Sequence, residues 1–245
     1  MLVTIISAAL NCEQTIARTI ESVLNQTYDN IEYILIDGVS SDRTLEVASA
    51  YQPLFDAREG RSMTVISEPD RGMYDALNKG AGMAHGELVG QINTDDWYEP
   101  DAVETMVRLY ETQPFDVAWG SVHMCGKKTW VKHARIGKLW STAGWCHPGA
   151  FSRRETLLEF PYALENMADD FEYITAVHCA GKKLVAVDRV VANYSFGKGG
   201  MSTRKGFREM RKRVHNTYGV YRKYGMSRFF WWYRWCYELI KELAG

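Results

Sequence analysis

The sequence predicts an α/β fold: a mostly parallel sheet with helices on both faces, followed by C-terminal helices. Three observations predict it. Over the first 120 residues, short apolar runs alternate with stretches of helical spacing, and strand–helix alternation builds parallel sheets covered on both sides. The first of these runs, Leu2–Ser7, reads as a strand buried on both faces. Finally, 245 residues with 46% hydrophobic content can bury a substantial core.

The elements follow in order. After Leu2–Ser7, Ile16, Ile20, Val23 and Leu24 recur at helical spacing, with Asn11 as the expected N-cap. Ile31–Ile36 is a second strand, ending at Asp37-Gly38, and Ser40 or Ser41 is expected to cap the helix containing Leu45, Val47 and Ala48. Met63–Ile66 is a third strand, 73–84 a helix and Glu87–Ile92 a fourth strand. Pro100 opens a helix with Val103, Met106, Val107 and Tyr110 on one face, and Phe115–Trp119 is a further strand. Beyond it, 120–152 reads as short strands and loops, Asp170–Ala180 as a helix, and Lys183–Val187 and Val190–Tyr194 as two strands. A Gly-rich loop, Gly197–Ser202, leads to helices over about 204–224 and 227–243. The domain reading is one unit over 1–203 and a helical extension over 204–245.

A formal charge of −1 argues against a general nucleic-acid binder. The charge is uneven, however. From Arg204 onward there are eleven Lys/Arg against three Asp/Glu, and the remainder holds 18 against 27, so the tail is expected to have its own partner surface. Five widely spaced cysteines without a CxxC pair read as reduced thiols in a cytosol-facing protein. The opening strand-like run lacks a preceding basic region and is interrupted by Asn11 and Glu13, so no signal peptide is expected. No stretch approaches ~20 uninterrupted apolar residues, so no spanning helix is expected either.

Parallel sheets bind ligands at the carboxyl ends of their strands, which singles out Asn11, Asp37, Glu68 and Asn93 to Asp96. In Gln91-Ile92-Asn93-Thr94-Asp95-Asp96, an apolar strand delivers two adjacent carboxylates to its end. They suit a hard divalent cation bridging a diphosphate, or equally the acidic approach to the helix at Pro100. Ser67 to Gly80 is a turn and helix start whose N–H groups, with Arg71 and Lys79, can meet a phosphate or sugar; its other reading is a solvated turn. Asp169-Asp170 precedes an apolar helix, as a general base or as a cap. His147 reads as a cleft contact or as a structural histidine before Pro148.

Together these motifs resemble the family 2 glycosyltransferases of the GT-A fold, over residues 2–203. Ser7-Ala8-Ala9-Leu10-Asn11 and the helix ending Leu24-Asn25-Gln26-Thr27-Tyr28 look like that family's first strand, loop and helix. Ile34–Thr44 resembles its nucleotide-binding strand end, Asn93–Asp96 lies at its DxD metal motif, and Asp170 at its base. His147–Phe151 and Gly199-Gly200-Met201-Ser202 resemble two signatures of bacterial surface-polysaccharide (O-antigen or exopolysaccharide) members. The resemblance implies a Rossmann-like sheet and an inverting, Mn²⁺- or Mg²⁺-dependent transfer from a nucleotide-diphosphate sugar, with a uracil base expected, to a glycan or lipid-linked glycan. It implies Asp170 as base, Asp96 with Asp95 at the metal, Asp95 also near the ribose, and Ala8, Asn11, Asp37, Arg71, Asn78 and His147 around the nucleotide sugar. Two departures stand out: Asp37-Gly38-Val39-Ser40 where many members read Asp-Asp-Gly-Ser, and Asn93 at the first DxD position.

In the tail, the aromatic block from Phe229 to Tyr237 lies among Arg228, Arg234 and Lys241, after Arg204, Lys205, Arg208, Arg211, Lys212 and Arg213. Such a mixture suits an anionic membrane interface; packing on the catalytic domain or a second subunit is the alternative. The chain is therefore expected in the cytoplasm, peripheral on the inner face of the membrane. Two rival functions are a sugar nucleotidyltransferase, for which Ala8–Glu13 lacks the Gly-rich basic phosphate loop, and an inactive nucleotide- or membrane-binding scaffold, which Asp95, Asp96 and Asp170 argue against.

Overall fold

The computed structural model describes residues 1–137, 144–164, 168–196, 206–227 and 229–243. The chain runs β1 (Val3–Ala9), α1 (Ile16–Leu24), β2 (Ile31–Asp37), α2 (Thr44–Ser49), α3 (Gln52–Asp56), β3 (Arg61–Ser67), α4 (Met73–Met83), β4 (Leu88–Gln91), β5 (Trp97–Tyr98) and α5 (Ala102–Thr112). It continues through β6 (Val117–Cys125), β7 (Thr129–Lys132), a 3₁₀ turn at His147–Gly149, β8 (Ala150–Arg153), α6 (Arg154–Glu159), α7 (Asp169–Cys179), β9 (Leu184–Ser195), α8 (Phe207–Lys223) and α9 (Phe229–Leu243).

One sheet carries the strands in the order β3-β2-β1-β4-β8-β6-β9-β5, with β7 beside β6. The block β3-β2-β1-β4 is parallel, β8 runs antiparallel between β4 and β6, and β9 is parallel to β6. Successive side chains of a strand point to opposite faces, so neighbouring residues of β1 feed two cores. Ile5 packs with Ile16, Ile20, Phe55 and Met106 on one side. Ile6 packs with Ile34, Leu77, Trp119 and Tyr173 on the other. Fully burying such a side chain contributes roughly 1.5–3 kcal/mol. Helix α4 lies hard against β1 because it has Gly80 there: a Cβ would stand 2.5 Å from Ile6 Cγ2.

Several expected details are corrected. Asn11 is not the N-cap of α1, which starts at Ile16 after Thr15; Asn11 takes the left-handed conformation, φ 48°, which asparagine tolerates. Neither Ser40 nor Ser41 caps α2. Arg43 stands at the N-cap without a side-chain cap bond, and Asp42 Oδ1 accepts the Thr44 N–H at 2.9 Å. Lys183–Val187 and Val190–Tyr194 are one strand, β9, accommodated by register shifts opposite Gly120, Ser121 and Val122. Phe115–Trp119 becomes the longer β6. The short α3, β5 and β7 carry too few residues to show a period.

Helix α8 packs onto the second core. Val220 and Tyr221 are buried in the second core, with the Tyr221 ring 5.6 Å edge-on from Phe171. Helix α9 sits on α8 through Phe230 against Tyr221, and through the buried Glu238, which Arg213 and Arg234 hold at 2.8 and 2.6 Å. Most of its other apolar side chains face outward: Phe229, Trp232, Tyr233, Tyr237, Leu239 and Ile240 are exposed. Among the described residues, no helix is long and apolar enough to cross a membrane. The loop Gly197–Ser202, its Gly199–Ser202 signature, Arg204, Lys205, Arg228 and the 203/204 boundary lie outside the described residues, as does the Lys241 side chain.

Candidate active site

The four parallel strands end on one edge, and most of the residues singled out in the sequence gather there. Asp37, the last residue of β2, is fully buried. Its carboxylate accepts the Ser40 N–H and hydroxyl and, at 2.6 Å, the Ser67 hydroxyl from the end of β3. It therefore shapes the loop instead of facing a ligand. Asn11 completes the loop. Its N–H donates to Ser40 Oγ at 2.8 Å, and its side-chain oxygen accepts the Ser41 N–H at 2.8 Å. Ala8 lies half-buried near the end of β1, opposite Ile36. Within this loop Val39 adopts φ 63° while exposed. Left-handed backbone at a β-branched residue costs energy and concentrates at functional turns.

The acidic loop after β4 is held from two sides. Asp96, which the resemblance puts at the metal, is wholly buried. Its Oδ1 accepts the Ser195 N–H at 2.8 Å, and its Oδ2 takes the Asn93 amide at 3.3 Å. Burial, reinforced by the Asp95 charge, pushes its carboxyl up to about 8, against the pull of those two donors. From α1, Thr19 Oγ1 donates to Asp96 O at 2.6 Å, and Arg18 donates to Asp95 O at 2.8 Å. The Arg18 guanidinium also lies 3.6 Å over the Trp97 ring. Asp95 itself is half-buried. Its position, rather than that of Asp96, leaves a carboxylate near the surface of this edge.

Across the edge, α7 begins with Asp169 and Asp170. Asp169 is buried and Asp170 is partly exposed. Desolvation raises the Asp170 carboxyl to about 6, with the Phe171 N–H at 2.7 Å and Lys132 pulling down and Asp169 pushing up. The Asp170 charge is felt at Tyr74 and Tyr162, whose rings are 4.9 Å apart, and Tyr173 stands 5.4 Å from Tyr162. Next to Tyr162 lie His147, at 6.4 Å between rings, and then Trp145, at 6.3 Å from His147. Both are buried, and His147 Nε2, Trp145 Nε1 and the nearby Gln91 Nε2 have no hydrogen-bond partner. Buried polar atoms are nearly always satisfied, so these three are groups with hydrogen-bonding capacity to spare among the described residues. Burial pulls His147 down to about 4, which keeps its ring neutral.

Other expected contacts are engaged within the protein. Arg71 folds back onto Asp75, at 3.0 Å. Both ends of the Asn78 amide clasp the backbone of Tyr162, at 2.9 Å each, so Asn78 secures the Tyr162 loop. Sequence reasoning missed Arg18, Ser195, Gln91, Trp145 and Tyr162. They lie far apart in the chain, and only Gln91, two residues before Asn93, carried a local signal.

Among the described residues no three His, Cys, Asp or Glu side chains converge into a ready-made metal cage. Mg²⁺ and Mn²⁺ in phosphate-transfer sites are commonly held by one or two carboxylates together with substrate phosphates. Asp95, half-buried at this edge, fits that donor set.

Comparison with known proteins agrees with this arrangement. The chain is 37% identical over 106 residues to EpsH of Bacillus subtilis, a protein named as a glycosyltransferase, a match covering 43% of this chain and 29% of that one. A PGL/p-HBAD biosynthesis glycosyltransferase of Mycobacterium bovis is 29% identical over 153 residues, covering 61% of this chain and 58% of that one. The chain thus matches under two thirds of the length of either relative. The fold is that of Staphylococcus aureus TarS in complex with UDP-GlcNAc, with a TM-score of 0.71, 16% identity, and coverage of 91% of this chain and 65% of that one. It is also that of the mannosyltransferase PcManGT of Pyrobaculum calidifontis in complex with GDP-Man and Mn²⁺, with a TM-score of 0.68 and coverage of 99% and 75%. The sequence profile described as Glycosyl transferase family 2 matches residues 4–179, and with the strand-edge geometry this places the chain in glycosyl transferase family 2.

Proposed function

We propose that the protein transfers one sugar from a nucleotide-diphosphate donor to a hydroxyl of a glycan or lipid-linked glycan, with inversion at the anomeric carbon. The observation that carries this reading is the pairing, across one sheet edge, of a desolvated Asp170 with a carboxylate loop suited to a diphosphate. A general base works best with its pKa near the operating pH, and the upward displacement of Asp170 brings it there.

The roles divide accordingly. Asp170 accepts the proton of the acceptor hydroxyl as that oxygen bonds to the anomeric carbon and the carbon–oxygen bond to the diphosphate breaks on the opposite face. One in-line displacement of this kind inverts the centre. Asp95, helped by Asn93, would hold Mn²⁺ or Mg²⁺, which supplies charge neutralisation for the departing diphosphate. Asp96 positions that loop by its bond to Ser195. The aromatic walls around Asp170 exclude water from the reacting atoms, and the neutral His147 ring, Trp145 and Gln91 offer hydrogen bonds to sugar hydroxyls. Mixed apolar and basic surface on α8 and α9 supports peripheral contact with an anionic membrane, where a lipid-linked acceptor would be met.

Incubation with UDP-GlcNAc, UDP-glucose and GDP-mannose in Mn²⁺, followed for release of UDP or GDP, tests the reading. Slow donor hydrolysis is expected with at least one of them. No release from any donor, with or without a sugar acceptor, returns the reading to a binding scaffold.

A further inference from the structure

From Val117 to Arg154 the sequence carries seven Lys and Arg and no Asp or Glu, although residues 1–203 as a whole hold 18 basic against 27 acidic residues. Four of the seven, Lys127, Lys128, Lys132 and Arg135, belong to the hairpin of β6 and β7 and the chain just after it. Cations elsewhere are mostly tied down. Arg71 pairs with Asp75, Lys79 with Glu68, Arg153 with Glu155 and Lys182 with Glu159. Among the described residues, the four hairpin cations make no ion pair. Lys127, Lys128 and Arg135 are exposed and Lys132 is half-buried. Trp130, 49% exposed, stands among them. Like charges gathered on one hairpin repel one another, a cost that a bound anion would relieve.

Strand register places this charge beside Asp170. Trp130 is paired with Met124 and Lys132 with Val122. Opposite residues of an antiparallel pair share a face, as do alternate residues of one strand, so Trp130, Lys132 and Val122 lie on one side. The 3₁₀ turn at His147–Gly149 covers that same side: a Cβ on Gly149 would stand 2.9 Å from Val122 Cγ2. The Lys132 charge is felt at Cys146, just before this turn, and at Asp170. The other side of the hairpin differs, because there His133 pairs with Asp188 at 2.8 Å and His123 with Glu99 at 3.6 Å. An acceptor hydroxyl that reaches Asp170 therefore has Lys132 within electrostatic range, with Lys127 and Lys128 farther out at the turn.

Resting on the reading of Asp170 as the base, we propose that the β6–β7 hairpin docks the acceptor, and that this acceptor is a phosphate-bearing glycan with a sugar ring on Trp130 and its phosphate among Lys127, Lys128 and Lys132. The exposed indole offers a flat apolar face to the C–H face of a sugar. The sheet edge carries Asp95, Asp169 and Asp170 and, on the same reading, receives the donor diphosphate, so an anionic acceptor is repelled there unless cations compensate. A neutral glycan would need no such compensation. A phosphate group carries a charge of about −1.5 to −2 and three acceptor oxygens, which matches several unpaired cations better than the single charge of a carboxylate does. Lysine ammonium groups are compact point charges that take phosphate oxygens without a fixed fork. A lipid surface could meet the outer turn but gives no role to Lys132, half-buried beside Asp170.

The test compares acceptors that differ in charge, using the full chain and the donor that wild type hydrolyses. They are decyl glycosides of glucose, galactose, mannose and N-acetylglucosamine, the same sugars joined to the decyl chain through a phosphate, and decyl glucuronide. Wild type should use a phosphate-bearing acceptor with kcat/KM at least about tenfold above that of its neutral counterpart, and added salt should shrink that advantage. Lys127→Gln with Lys128→Gln should melt like wild type and lower the ratio of phosphate-bearing to neutral transfer by about tenfold, through KM rather than kcat. Lys132→Met should lower the same ratio. Trp130→Ala should raise KM for both members of a pair alike. Equal use of phosphate-bearing and neutral acceptors, a preference for the glucuronide, or a phosphate preference that survives all three lysine changes overturns the assignment and leaves the donor reading standing. So does donor hydrolysis without transfer to any phosphate-bearing acceptor, or a lysine variant that loses anionic-vesicle binding at an unchanged ratio. Absence of donor hydrolysis by wild type removes the reading of Asp170 as base, and this inference with it.

Discussion

The carboxylate of Asp96 accepts the backbone N–H of Ser195 at 2.8 Å, joining the acidic loop after β4 to the last residue of β9. Ninety-nine residues of chain separate the two, and the bond lies wholly inside the protein. Asp96 thus acts from within, fixing where its neighbour Asp95 stands.

The two aspartates should separate by mutation. Asp96→Ala leaves the Ser195 N–H unpaired in the interior, at a cost of about 1–3 kcal/mol, and should lower the melting temperature by several degrees. Asp95→Asn should melt like wild type but lose metal-dependent binding of nucleotide diphosphate. Paired thermal melts and binding measurements, with and without Mn²⁺, check both. Equal destabilisation by the two changes would contradict the division of labour.

Chelation gives a second prediction. On the proposed reading Asp95 and Asn93 would hold the cation only together with the diphosphate, so nucleotide binding and metal binding should each strengthen the other. Excess chelator should abolish donor hydrolysis without changing the melting temperature of the nucleotide-free protein. Full hydrolysis in chelator would remove the metal from the account.

The pH dependence follows from Asp170. Its pKa is raised to about 6, and only the unprotonated form accepts a proton. Activity is therefore present above about 6 and lost as the pH falls through that value, rather than at the 3.8 of an ordinary aspartate. The groups facing it are Tyr74, Tyr162 and Cys146, all with raised pKa, together with Asp169 and Lys132. Lys132→Met removes the favourable cation and should move the acid limb upward. A pH–rate profile of donor hydrolysis with a fixed acceptor measures the shift.

The outward face of α9 predicts vesicle binding. Phe229, Trp232 and Ile240 are 71%, 63% and 65% exposed, and Arg208 and Arg211 are exposed on α8. Each cation near an anionic surface contributes about 1 kcal/mol, screened within roughly 8–10 Å. Co-sedimentation with anionic vesicles should weaken in high salt. It should fall further in Phe229→Ala with Trp232→Ala, whose side chains are exposed. No pelleting of wild type at low salt would end the membrane reading.

Much of this architecture is legible in the sequence because the signals are local. The mostly apolar run Leu2–Ser7 reads as a buried strand, and β1 spans Val3–Ala9 with every residue but Ala8 buried. Adjacent acids at a strand end announce Asp95 and Asp96, and a pair before an apolar helix announces Asp170. What the sequence hides is which oxygen faces where. Asp96 and Asp37 read as ligand contacts, yet Ser195, Ser40 and Ser67 claim them. Asn78 reads as a polar helix face, yet it holds Tyr162 from 84 positions away. Those partners meet through tertiary packing, which no periodicity encodes. The unpartnered Gln91, Trp145 and His147 atoms are of the same kind: each residue type is ordinary, and only packing brings Gln91 and His147 to Tyr162 and Trp145 to His147.

The central claim is that Asp170 is the base of a displacement on a nucleotide-sugar donor, and Asp170→Asn tests it most directly. With the donor that wild type hydrolyses, transfer should fall about 10²–10⁴-fold while affinity for that donor stays within a few-fold of wild type. An Asp170→Asn enzyme that transfers at the wild-type rate would contradict the account.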